Sequence, residues 1–69
     1  MKLSTRNQLS GTVEAIHTGE VMASVKVTLA GGDVITAAVT AEAVADLGLD
    51  VGSPVTVLVK ATEVMLATD

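Results

Sequence analysis

No aromatic residue and no cysteine occurs in this chain, proline occurs once, and only four Lys and Arg stand against eight Asp and Glu. Each shortage closes a class of function. A nucleic-acid footprint needs basic patches and gains from stacking aromatics, so a net charge of −4 without Phe, Tyr or Trp argues against that partner. The missing cysteines remove disulfides as staples, and a single histidine, His17, leaves no set of soft ligands for a structural metal. Nor is there a nucleophile, base and orienting group for catalysis, so the chain reads as a non-enzyme that calls for no cofactor. The apolar runs fall far short of a bilayer span, and no stretch of signal-peptide length follows Lys2. Together with the absence of cysteine, this makes a soluble cytoplasmic protein the expectation, with no membrane partner.

What is abundant is aliphatic: 49% of the 69 residues are apolar. A domain of this length buries only about 60% of the surface its unfolded chain exposes. So many Val, Leu and Ala cannot all be hidden in one copy, and assembly with other copies is the one staple left. No linker, low-complexity segment or internal repeat divides the chain, so residues 1–69 read as one domain.

The dominant period is two. Val21, Ala23, Val25, Val27 and Leu29 alternate with Met22, Ser24, Lys26 and Thr28, which predicts a half-buried strand. A turn at His17-Thr18-Gly19-Glu20 joins it to an earlier strand over residues 9–16, and Ala30-Gly31-Gly32-Asp33 leads to a third over residues 34–39. The pattern then changes. Thr40 is placed as an N-cap, good helix formers follow from Ala41 to Leu47, and Gly48 is placed to end the helix. After the Asp50-Val51-Gly52-Ser53-Pro54 turn, Val55, Val57 and Val59 predict a fourth strand, and residues 63–67 supply a fifth. The fold class expected is all-β: a small OB-like five-stranded barrel with one short helix. Met22, Met65 and the valine stripes belong to its core or to a subunit interface.

Against this background the donor groups stand out. Ser4-Thr5-Arg6-Asn7 sets two hydroxyls, a guanidinium and an amide just before the first strand, with no carboxylate until Glu14. Lys60-Ala61-Thr62 closes the last long strand. A planar fork, a point charge and neutral hydroxyls suit a tetrahedral oxyanion better than a metal or a base edge. Each residue has a plainer reading beside this one. Ser4 to Asn7 can be an ordinary polar lead into a strand, Lys60 a solvated strand end, and Thr40 only a cap. Glu42 and Asp46, four apart on a helix, read as solvated surface, His17 alone is no metal site, and Gly31-Gly32 lacks phosphate-loop spacing.

Ser4-Thr5-Arg6-Asn7-Gln8-Leu9 resembles the S-A-R-N-Q-L opening of the molbindins, the small molybdate-binding Mop proteins with a TOBE-type domain. Val39-Thr40-Ala41, Leu47-Gly48-Leu49-Asp50-Val51-Gly52 and Val59-Lys60-Ala61-Thr62-Glu63-Val64-Met65 match later family segments in the same order. One departure is Thr5, where the family has Ala; the resemblance assigns that position a backbone role, which the change leaves intact. The resemblance implies a homohexamer, a trimer of dimers, that holds molybdate or tungstate between subunits for storage or homeostasis. It implies a first site made by the Ser4 and Arg6 side chains and the Thr5 and Arg6 backbone, completed by Thr40, Lys60 and Ala61 from a neighbouring chain. Asn7 braces the turn. A second oxyanion site, near the threefold axis, falls on Gly19, Glu20, Val21, Met22 and Ala23.

The chemistry of the first site is coherent. Molybdate is a dianion at neutral pH, one Arg and one Lys balance it, and backbone N–H groups after a Thr40 cap add further donors. The acidic remainder of the surface is screened beyond about 8–10 Å at physiological salt. An alternative remains from another class: an oxyanion-sensing regulatory or interaction module acting on a transporter or regulator, for which the chain shows no additional segment.

Overall fold

The computed structural model describes residues 2–69. Strand β1 spans Asn7–Thr18, β2 Met22–Leu29, β3 Val34–Thr40 and β4 Pro54–Val59; helix α1, Ala41–Leu47, joins β3 to β4, and a single 3-10 turn, Ala61–Glu63, follows β4. All pairings are antiparallel, in the order β3-β2-β1-β4. The fold class read from the sequence is thus the one observed, as a curled sheet of four strands with one short helix. The fifth strand expected over residues 63–67 is not formed. The chain enters the 3-10 turn instead, and beyond it residues 64–69 pair with no strand of their own copy.

β1 is the organising element. Its first half pairs with β4 from Asn7↔Val59 to Thr12↔Pro54, and its second with β2 from Gly11↔Leu29 to Thr18↔Ala23. The register slips between Val13 and Ala15, so Glu14 is an extra residue in a β-bulge, which bends the strand and curls the sheet. Gly11 lies where the two pairings overlap. A Cβ there would run into Val27 Cγ1 and sit 2.9 Å from the Thr28 carbonyl oxygen, so the curl depends on having no side chain at that point.

The period-two pattern is read out on the concave face. Val13, Ala23, Val25 and Val27 are buried, and Ile16, Leu29, Ile35, Val39, Val44, Val55 and Val57 pack against the cluster of Val13, Val25 and Val27. Val21, in phase with this stripe, lies beyond the start of β2 and is 70% exposed. Met22 and Met65 are also exposed, which removes them from the core and leaves the interface role expected of them. Four buried residues among those described are a small core for so aliphatic a chain, as its length dictates.

Helix α1 caps one mouth of the curl and forms as its sequence specifies. The Ala43 N–H donates to Thr40 Oγ1 at 3.0 Å, and Thr40 itself is extended, the geometry of an N-cap. Gly48 ends the helix at φ 63°, ψ 38°, with its own N–H and that of Leu49 donating to the carbonyls of Ala45 and Val44. A side chain at that φ would be strained, so glycine is what lets the chain turn back towards β4. Among the described residues no helix is long and apolar enough to cross a membrane.

Candidate functional site

Antiparallel pairing of β1 with β4 has a direct consequence for the donor groups. Since Asn7 faces Val59, the residues before Asn7 must run beside those after Val59. Ser4, Thr5 and Arg6 accordingly meet Lys60, Ala61 and Thr62 across an open cleft of about 400 Å³. Two segments more than fifty residues apart in sequence become one surface within a single chain.

The cleft is braced by groups that leave its charges unspent. Asn7 Nδ2 donates to the Val59 carbonyl at 3.1 Å and ties the two segments together at the cleft's root. Gln8 Nε2 donates to the Thr5 carbonyl at 3.0 Å and fixes the bend that carries Ser4 to Arg6. On the other wall, the Glu63 N–H donates to the Lys60 carbonyl at 2.9 Å and the Val64 N–H to the Ala61 carbonyl at 3.3 Å, which closes the 3-10 turn. Among the described residues neither the Arg6 guanidinium nor the Lys60 ammonium has a hydrogen-bond partner. Both are exposed, while Thr5 is half-buried. The cleft therefore offers two formal positive charges, hydroxyls and backbone N–H groups, a donor set matched to a doubly charged oxyanion.

Lys60 and Ala61 thus lie beside residues 4–6 of their own chain, and do not have to arrive from a neighbour. Antiparallel strand pairing is the reason. Thr62 joins them as a cleft residue outside the set that resemblance carried over; its place in the Lys60-Ala61-Thr62 donor run was the available signal. Gln8 also went unassigned, although an Asn-Gln pair at the start of a strand is a recognisable brace once the bend is known.

Thr40 is elsewhere. It pairs with Met22 at the far end of β2, and Ala23 in turn pairs with Thr18 at the far end of β1. At about 3.4 Å per residue, the two ends of β1 are on the order of 30 Å apart. Thr40 therefore reaches the cleft only if it belongs to a second copy. Within one chain it gathers with Gly19, Glu20, Val21, Met22 and Ala23 in a second corner. There the Gly19 N–H donates to the Met22 carbonyl at 2.8 Å and the Ala41 N–H to the Val21 carbonyl at 2.7 Å. With Ala43 donating to Thr40, two of the first three N–H groups of α1 are already taken, and the helix start offers fewer donors than its sequence suggested. The Thr40 hydroxyl accepts from Ala43, so its own proton remains to be donated.

His17 lies exposed on β1, and among the described residues no group of three or more His, Asp or Glu is placed to hold a metal cation.

Comparison with known proteins agrees with this architecture. The TOBE domain model matches residues 3–66. A probable molybdenum-pterin-binding protein of Haemophilus influenzae is 42% identical over 69 residues, covering the whole of both chains. The molybdenum transport protein ModE of Herbaspirillum seropedicae is 45% identical over the whole of this chain, which corresponds to 26% of that longer protein. Among solved structures, a molybdate-binding protein from Sporomusa ovata superimposes with a TM-score of 0.92 at 46% identity, covering 99% of this chain and all of the other.

Proposed function

The chain belongs to the molbindin (Mop) family of TOBE-domain proteins, and from that membership we propose that it binds molybdate, or tungstate, as an oligomer without performing chemistry on it. The observation that carries this reading is the cleft in which Arg6 and Lys60 face one ligand-sized space with neither charge engaged. In that cleft the Ser4 hydroxyl, the Arg6 side chain and Lys60 supply the strong donors, and the Thr5, Arg6 and Ala61 backbone supply neutral ones. Two cations meeting a tetrahedral dianion replace lost hydration with charge-assisted hydrogen bonds. Thr40 of a second copy completes the shell.

The open side of the cleft supports a site shared between copies, since one chain contributes donors from one side only. The second corner, residues 19–23, is the seat of the additional oxyanion site. We read the physiological role as cytoplasmic storage and homeostasis of the oxyanion in a homohexamer. Close likeness to part of a ModE protein supports a second reading, in which the same domain senses the oxyanion on behalf of a transporter or regulator.

Native mass spectrometry with molybdate, tungstate and sulfate in competition tests both assembly and ligand. The expected result is a hexamer that retains molybdate or tungstate in preference to sulfate. A monomer that retains no oxyanion would sink the proposal. Capture of a specific partner only in the presence of molybdate would favour the sensing role.

A further inference from the structure

The strongest donors of the oxyanion cleft are also its loosest. Arg6 and Lys60 are exposed on long side chains, and Ser4, Ala61 and Thr62 are exposed as well. Long charged side chains give up rotamer freedom when a ligand holds them still, so part of what they contribute is lost to ordering. Charge of this kind draws an anion into the cleft without fixing where it rests. Thr5 is built differently. It is the one half-buried residue of the six that line the cleft, and branching at Cβ makes its χ1 stiff.

Thr5 has three groups able to form hydrogen bonds, and only one is engaged. Its carbonyl accepts from Gln8 Nε2 at 3.0 Å, which fixes the backbone on which the side chain stands. Among the described residues its N–H and its hydroxyl have no partner. No buried side-chain oxygen or nitrogen among those residues lacks a partner, so the unengaged hydroxyl is open to solvent. The group is therefore held in place on the cleft wall before any ligand arrives, with its proton free to turn towards one.

We propose that the Thr5 hydroxyl is a side-chain ligand of the oxyanion, donating to one of its oxygens and setting where in the cleft it rests. This depends on the oxyanion reading above and adds to the backbone role that the family resemblance gives this position. Arg6 and Lys60 supply charge, and Thr5 supplies position. A donor fixed in advance loses little freedom on binding, so its hydrogen bond is expressed almost in full as affinity. With alanine at residue 5, as in the family motif, the cleft would have one side-chain donor fewer.

Thr5→Val keeps the branching of the side chain and removes the hydroxyl, and Thr5→Ser keeps the hydroxyl and removes the methyl. Both variants and the wild-type protein are titrated with sodium molybdate by calorimetry, at one protein concentration and with equal mass by light scattering. Thr5→Val is expected to bind about tenfold more weakly, as loss of a hydrogen bond to a charged ligand requires, and Thr5→Ser within about threefold of wild type. Without molybdate, Thr5→Val and wild type should share one denaturant midpoint, since the hydroxyl bonds no other described residue. Three outcomes overturn the inference: Thr5→Val binding like wild type, Thr5→Ser as weak as Thr5→Val, or an unliganded stability that falls as far as the affinity. Arg6→Ala, titrated alongside, keeps the two claims apart. Binding weakened in Arg6→Ala and untouched in Thr5→Val rejects the role of Thr5 and keeps the cleft. A wild-type protein that binds no molybdate rejects both.

Discussion

The two ends of β1 carry the same kinds of group and use them in opposite ways. At the Asn7 end the hydrogen bonds that set the geometry are made by Asn7 and Gln8, while Arg6 and Lys60 are held in place and left unengaged. At the Thr18 end the donors themselves do the holding: Gly19 to Met22, Ala41 to Val21 and Ala43 to Thr40. A ligand site needs groups positioned by bonds other than the ones they will offer. By that criterion the first end keeps its charges free for a ligand, and the second has engaged most of its donors within the chain.

The largest effect expected from this contrast is the loss of oxyanion affinity when the unengaged charges go. A hydrogen bond to a charged group contributes about 1.5–3 kcal/mol, so Arg6→Ala and Lys60→Ala should each weaken molybdate binding roughly 10- to 150-fold in titration calorimetry. Lys26→Ala removes the same formal charge from the convex surface, where its ammonium donates to Thr36 Oγ1 at 3.0 Å. It should change affinity less than about twofold, since screening confines an exposed charge to its neighbourhood. If the three variants behaved alike, overall charge would be drawing the oxyanion and the cleft would have no special place.

Thr40→Ala probes the opposite end. Loss of the N-cap should lower unfolding free energy by about 1 kcal/mol, read from denaturant midpoints at unchanged slope. Its effect on affinity should be seen only under conditions where the protein is assembled, because within one chain Thr40 is remote from Arg6. Weaker binding by a dilute monomeric form of the variant would break the distinction drawn between the two ends.

The sequence made some of this legible and concealed the rest for physical reasons. Period-two alternation, a Thr cap and a Gly stop are local signals, and β1 to β4 with α1 follow them closely. The donor cluster at Ser4-Thr5-Arg6 was equally visible, because its composition departs from an acidic chain. What a linear reading could not hold was the path of the chain after β4. The apolar run Val64-Met65-Leu66 promises a strand, but a strand forms only where an edge receives it, and these residues pair with none in their own copy. The nearness of Lys60 to residues 4–6 of its own chain was hidden for the complementary reason. Strand register is a tertiary fact, and the pairing of Asn7 with Val59 is what brings Lys60 alongside Arg6 within one chain.

The smallest predicted effect concerns the brace itself. Asn7 touches no ligand in the proposed site; its side chain is half-buried and bonds a carbonyl 52 residues away, next to Lys60. Asn7→Ala removes one neutral hydrogen bond, about 0.5–1.5 kcal/mol, and leaves every ligand-facing group in place. The part of that energy that holds the two walls in register should be lost from binding, an affinity change of roughly two- to tenfold, with the remainder lost from stability. Calorimetry and denaturation on the same variant separate the shares. A drop in stability with untouched affinity would mean that the walls keep their spacing through the β1–β4 ladder alone. The unspent state of Arg6 and Lys60 would then owe nothing to Asn7, and the contrast between the two ends would rest on backbone pairing rather than on side-chain braces.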